Sequence, residues 1–291
     1  MATRALLDDS RAPGTGRRLI WAALLALLLL AMIAVAAFGW AAGHARVASD
    51  AAAEQQARSA SRRLAGELQK FRLLPLVLTE YPDVRTVLGS GDAAAARRMN
   101  DKLELLADRT DAAVIYLIAR DGRTIAASNW RRPQSFVGQN YGFRPYFRDA
   151  MARGSAELFA LGTVSGRPGL FIARRVEEGG RALGVIVVKV EFGGLEAEWA
   201  RQPLATFVTD DHGVVIITSR PDWRFRTLAP IDERTRAAIR AVLQFGDLPL
   251  TPLPLAKDGA TWANGDARYR EAAVPGAVAG PPAPAFPPPA P

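Results

Sequence analysis

Residues Leu19–Gly43, LIWAALLALLLLAMIAVAAFGWAAG, carry no charged side chain. About 20 consecutive apolar residues suffice to cross a hydrocarbon core of roughly 30 Å, so this stretch constrains the chain more than any other. A cleaved secretory signal is the competing reading, because Arg17 and Arg18 stand where its basic flank belongs. The apolar part of such a signal, however, runs only about 7–15 residues. A core helix of a soluble domain is the third reading, and nothing in the stretch offers it a polar face. The expectation is an uncleaved anchor, with 1–18 a cytoplasmic N-terminus and 19–43 a transmembrane helix. Positive charge near a span favours the cytoplasmic side. Arg4, Arg11, Arg17 and Arg18 precede this one and Arg46, Arg58, Arg62 and Arg63 follow it, so the bias is modest. Trp21 and Trp40 sit near its two ends, where interfacial aromatics belong.

Beyond the span, 44–110 reads as a helical stalk and long helices. Ala51–Phe71 contains no proline and one glycine, Gly66, so the membrane helix is expected to continue outward. Pro75 and Pro82 are expected to bend or break it. Gly89-Ser90-Gly91 reads as a stop and Asp92 as an N-cap for a helix over Ala93–Asp108, with Met99, Leu103 and Leu106 on one face. The period then changes. Ala113–Ile118 and Thr124–Ser128 flank Asp121-Gly122, the chemistry of a tight hairpin. A loop over Asn129–Tyr141 leads to Pro145, which suits the first turn of a helix running to about Ala152. Strands are expected over Ala156–Leu161, Gly169–Arg175 and Gly184–Glu191, then a short helix over Leu195–Trp199. A second hairpin, Thr206–Thr209 with Val214–Ser219, turns at Asp211-His212-Gly213. Antiparallel strands with segregated helices make an α+β fold. An amphipathic helix over Asp232–Phe245 and Pro-rich strands are expected to form a smaller unit over 229–270. Residues 271–291, mostly Pro, Ala and Gly, are expected to be disordered.

The chemistry-bearing residues are few. Cysteine is absent, which removes disulfides, thiolate metal sites and a thiol nucleophile. The two histidines are His44, at the end of the span, and His212, in a hairpin turn beside Asp210 and Asp211, whose side chains point apart on a strand end. No phosphate loop, catalytic triad or paired carboxylates in an apolar setting are found, so no catalytic residue, metal or cofactor is expected. The net charge of +8 comes from arginines scattered among acids on a chain that leaves the cytoplasm, and no nucleic-acid partner is expected.

A binding role has better support. Alternation along Val185–Phe192 puts Ile186, Val188, Val190 and Phe192 on one face and Val185, Val187, Lys189 and Glu191 on the other. A lysine is almost never buried without a partner. The Lys189 face must therefore reach water, an internal acid or an anionic ligand, unless Lys189 protects an edge strand from aggregation. Arg144 sits among Tyr141, Phe143, Tyr146 and Phe147. It reads equally as a carboxylate fork in an aromatic pocket or as a guanidinium stacked on surface rings. The loop Gly162-Thr163-Val164-Ser165-Gly166 adds hydroxyls where the backbone can approach a ligand, or forms an ordinary turn.

Ser128-Asn129-Trp130, the run Ser135–Phe147 (SFVGQNYGFRPYF), Phe159–Gly169 (FALGTVSGRPG), Gly184–Phe192 (GVIVVKVEF) and Val208–Leu228 resemble, in order, the sensory region of the C4-dicarboxylate sensor histidine kinases. The resemblance covers the anchor through about Arg270. It implies a PAS-like double Cache domain in the periplasm of a bacterium, on a single-pass inner-membrane chain. Residues 111–228 would be the membrane-distal ligand-binding half and 229–270 part of the membrane-proximal half. It further implies that Tyr141 and Arg144 grip one carboxylate of succinate, fumarate or malate, that Thr163 and Ser165 donate from the loop, and that Lys189 neutralises the other carboxylate. Two cations match a dianion. The family continues into a second span, a phosphoacceptor helix and an ATP-binding domain. The match stops near Tyr269–Arg270, so the chain is expected to be truncated and without its own kinase activity. The expected partners are a small dicarboxylate, the lipid bilayer and a second copy joined through the stalk helix. The alternatives are a Cache sensor for another ligand, such as an amino acid, and a non-signalling membrane-anchored dimerisation module.

Overall fold

The computed structural model describes residues 15–258, 261–264 and 267–275. The chain divides into two compact units, Met1–Ala53 and Glu54–Pro291. Helix α1 spans Thr15–Thr79. In the first unit its large apolar side chains, from Leu19 to Trp40, are exposed. It is long and apolar enough to cross a membrane, with a window of mean hydropathy 2.9. The expected cytoplasmic residues before Thr15 lie outside the described residues.

In the second unit the remainder of α1 buries Ser61, Leu64, Leu68, Phe71, Pro75 and Leu78. Their alternating spacing of three and four residues lays one stripe along the helix. Each large apolar side chain there contributes roughly 1.5–3 kcal/mol by leaving water. Pro75 lies inside α1, held in that buried stripe, whereas Pro82 opens α2 (Pro82–Ser90) at its first turn. Gly91 closes α2 with φ 65°, and the Asp92 carboxylate accepts from the Ala94 and Ala95 amides to cap α3 (Ala93–Thr110).

The strands β1 (Val114–Ala119), β2 (Thr124–Ala127), β3 (Ser155–Leu161), β4 (Pro168–Glu178) and β5 (Arg181–Val190) form one antiparallel sheet in the order β2-β1-β5-β4-β3. The last strand in sequence is thus the middle one in space. Its Ile186, Val188 and Val190 join Ile115, Leu117 and Ile172 in the core shared with α1, α2 and α3. Its Val185 and Val187 face the other way, with Tyr116, Phe171 and Ala173, toward α4 (Pro145–Arg153) and the segment carrying Phe136 and Tyr141. The expected two-faced alternation is the observed one, and the fold is α+β.

After α5 (Gly193–Ala200), the hairpin β6 (Phe207–Thr209) and β7 (Val215–Thr218) forms its own two-stranded sheet. Phe207, Trp223 and Tyr269 close a ring triad with centroids 5.5–5.8 Å apart, and Val215, Trp223 and Leu253 form its buried cluster. Val214, Ile216 and Ile217 meanwhile join the main core, so the hairpin bridges the two clusters. The C-terminal elements are α6 (Glu233–Ala241), capped by Asp232, and the sheet β8 (Ala256–Asp258), β9 (Thr261–Asn264) and β10 (Ala267–Arg270). The helix expected to reach Phe245 ends at Ala241, because Leu243 takes a left-handed φ of 50°. Of the stretch expected to be disordered, residues 271–275 are described, and three of them make contacts. Ser61 donates to the Ala273 carbonyl (2.5 Å), the Trp262 indole to Glu271 (2.5 Å), and Val274 meets the main core. Residues 276–291 lie outside the described residues.

Candidate functional site

Lys189 is completely buried on the central strand, between Val114 of β1 and Phe171 of β4. That position excludes the edge-strand explanation for this lysine. Two glycines make its room. A Cβ on Gly169 would come within 3.1 Å of the lysine Cε and 2.6 Å of the Val190 carbonyl oxygen. One on Gly162 would come within 2.4 Å of the Ser165 hydroxyl. The ammonium donates to Ser165 Oγ (3.0 Å) and to Glu191 Oε1 (2.5 Å). Burial lowers the Lys189 pKa from the usual lysine range, and the Glu191 carboxylate partly restores it. Glu191, one residue past the end of β5, also meets Arg167 at 3.4 Å. Lys189, Ser165, Arg167 and Glu191 line a cavity of about 660 Å³, whose walls include Phe136, Arg132 and Asp108.

Arg144 is also buried, at 1% exposure, and therefore not a surface stacking residue. It is the N-cap position of α4, where Pro145 starts the helix. Its Nη1 donates to the carbonyls of Leu243 (2.7 Å) and Val242 (3.3 Å), and its Nη2 to that of Leu161 (3.0 Å). The same junction is tied by the Leu161 amide, which donates to the Gln244 carbonyl at 2.7 Å. The guanidinium therefore pins the turn after α6 to the end of β3. Its carbon lies 5.7 Å from the Phe171 ring centre, and the Lys189 nitrogen lies 5.9 Å from the same centre. The two expected cations thus share one aromatic ring.

Tyr141 is buried against Phe136 and Tyr116. Tyr116 donates to the Tyr146 hydroxyl (2.8 Å), and Tyr146 stacks on Phe171 with centroids 5.0 Å apart. Burial raises the phenol pKa of all three tyrosines, Tyr146 to about 12, so each is a neutral hydroxyl at ordinary pH. Thr163 is exposed on the Gly162–Gly166 loop. The structure thus joins Lys189 and Ser165 directly at the cavity, sets Tyr141 and Arg144 in the adjoining aromatic cluster, and leaves Thr163 outside the cavity lining. Sequence reasoning named an internal acid as one possible partner for Lys189 without identifying it. The signal was the spacing Lys189-x-Glu191, which puts both side chains on one strand face. The carbonyls around Arg144 had no comparable signal.

No family model matches the chain. The C4-dicarboxylate transport sensor protein DctB of Rhizobium meliloti (strain 1021) is 54% identical over 190 residues, 65% of this chain and 31% of that protein. The protein of the same name from Pseudomonas aeruginosa is 40% identical over 201 residues, 68% of this chain and 32% of that protein. The chain spans about a third of the length of these relatives. Among solved structures, the sensor domain of the V. cholerae histidine kinase DctB is 31% identical with a TM-score of 0.68, and the match covers 78% of this chain and 89% of that domain. The order of helices and antiparallel strands is therefore the PAS-like Cache arrangement of a known sensor. Coverage of nearly the whole solved domain, at that identity, establishes the relationship: this chain belongs to the DctB sensor-domain family.

Proposed function

We propose that the second unit binds a C4-dicarboxylate such as succinate, fumarate or malate, as the input module of a two-component sensor histidine kinase. The observation that carries this reading is Lys189, a wholly buried ammonium on a central strand beside a polar cavity. A buried cation is costly without an anion, and the anion Lys189 has, Glu191, lines the same cavity as Lys189 itself. In this reading Lys189 and Ser165 receive one carboxylate, and Tyr141 and Arg144 receive the other across the Phe171 ring. Thr163 adds a hydroxyl when the loop closes. Arg144 reaches the ligand by exchanging a main-chain carbonyl for a carboxylate, a stronger acceptor. Residues 19–43 anchor the chain in a bacterial inner membrane with the sensory unit in the periplasm, and the stalk helix pairs with a second copy. The dicarboxylate named for the relatives in R. meliloti and P. aeruginosa supports the ligand class.

Thermal unfolding of the full chain in detergent micelles tests the reading, with succinate, malate, a neutral control and an amino acid. A dicarboxylate at 100 times its dissociation constant is expected to add about 2.7 kcal/mol of apparent stability, and Lys189→Met is expected to remove the response. Indifference to every dicarboxylate would overturn the ligand class. One observation favours a second reading: Asp108, Asp111 and Glu191 place carboxylates in the same cavity, where a ligand ammonium would be welcome. Stabilisation by the amino acid alone would select that reading.

A further inference from the structure

Both cations assigned to the ligand are already engaged by the protein, and the two partners differ in kind. The acceptors on Arg144 are main-chain carbonyls. The acceptor on Lys189 is a carboxylate, the same chemical group as the proposed ligand's. We propose that Glu191 is a built-in competitor. Its side chain occupies the carboxylate seat at Lys189, and any ligand must displace it, so Glu191 sets both the affinity and the exclusion of monocarboxylates.

Four observations converge on this. First, the Glu191 oxygen lies 2.5 Å from the Lys189 nitrogen, a full charge-assisted hydrogen bond. Second, Ser165 also contacts that nitrogen at 3.0 Å, so the seat already holds the hydroxyl a bound carboxylate would use. Third, Glu191 is not a residue of the sheet. β5 ends at Val190 and the Gly193-Gly194 pair follows two residues on, so its side chain can move without unpairing a strand. Fourth, a place to go exists. The other Glu191 oxygen is 3.4 Å from the exposed Arg167 guanidinium, which keeps the displaced carboxylate paired. Glu191 competes intramolecularly, at an effective concentration that a weakly bound monocarboxylate does not match. A dicarboxylate recovers the loss through its second anchor.

The identity of the natural ligand rests on the dicarboxylate reading, whereas the seat itself does not, and the test separates the two. Succinate and acetate are titrated at matched ionic strength against the full chain, Glu191→Gln, Glu191→Ala and the double variant Lys189→Met/Glu191→Ala, with calorimetry and thermal unfolding as readouts. Glu191→Gln is expected to bind succinate about tenfold tighter, the size of one lost competing charged hydrogen bond. Acetate, silent on the unaltered chain, is expected to raise the unfolding temperature of Glu191→Gln and Glu191→Ala saturably, and not that of the double variant. If acetate fills the vacated seat while succinate binds no form of the protein, the competitor assignment stands and the dicarboxylate reading falls. Weaker succinate binding by Glu191→Gln would make Glu191 a ligand contact and overturn the proposal. So would an unchanged succinate affinity with no acetate response.

Discussion

At the scale of single residues, Lys189 couples stability and binding with opposite signs. Burial holds its folded-state pKa below the usual lysine value, so between the two pKa values the unfolded chain binds more protons than the folded one. Its contribution to stability therefore rises as pH climbs through that window and is lost as pH falls through the folded pKa. Carboxylate binding requires the charged amine and declines over the same alkaline range. Calorimetric titration with succinate from pH 7 upward is expected to show falling affinity below the ordinary lysine titration range, and an affinity that stays level there would take the Lys189 ammonium out of the binding step. Much of this residue's character was legible from its sequence neighbours, because strand alternation is a local rule. Whether it guarded an edge or faced a ligand was not, because that depends on strand order. Arg144 is the harder case. Two of its three partners lie 98 and 99 residues along the chain, beyond any spacing rule.

At the scale of elements, the readable features were those whose physics is local. Asp92 capping α3, Pro145 opening α4 and Gly122 turning the first hairpin each satisfy backbone needs within a few residues. The insertion of β5 between β1 and β4, and the departure of β6–β7 into a separate sheet, depend on which apolar faces meet in three dimensions. One contact shows how the elements are held. Arg72 of α1 clasps Glu157 of β3 through both carboxylate oxygens, at 2.6 and 2.7 Å, with both side chains less than a fifth exposed. The pair raises the Arg72 pKa, and removing one partner strands a largely desolvated charge. Arg72→Ala is expected to cost about 1–3 kcal/mol, discounted from a fully buried pair for its residual exposure. Urea unfolding checks it, and adding Glu157→Ala to Arg72→Ala is expected to recover part of the loss. A cycle showing no coupling would reduce the clasp to a surface pair.

At the scale of the whole molecule, the ligand-binding half expected from the sequence, 111–228, takes part of its hydrogen bonding from beyond Leu228. The carbonyls that satisfy Arg144 belong to Val242 and Leu243, and the Phe159 carbonyl accepts from Gln244. A chain ended at Leu228 is therefore expected to unfold at a lower temperature than one ended at Val274, because a buried guanidinium loses charge-assisted bonds worth about 1.5–3 kcal/mol each. Equal unfolding temperatures would show that Arg144 finds other acceptors. The same geometry bears on how the protein is made. A ribosome adding about 5–20 residues per second delivers Val242, 98 residues after Arg144, roughly 5–20 seconds later. In the later part of that interval, once Phe171 and Val187 have been made, the nascent aromatic cluster is complete in sequence but holds a cation with two of its three main-chain acceptors still unsynthesised. The strands of the sheet are all made by Val190, yet the guanidinium at its flank gains two of its three acceptors only when the turn after α6 arrives.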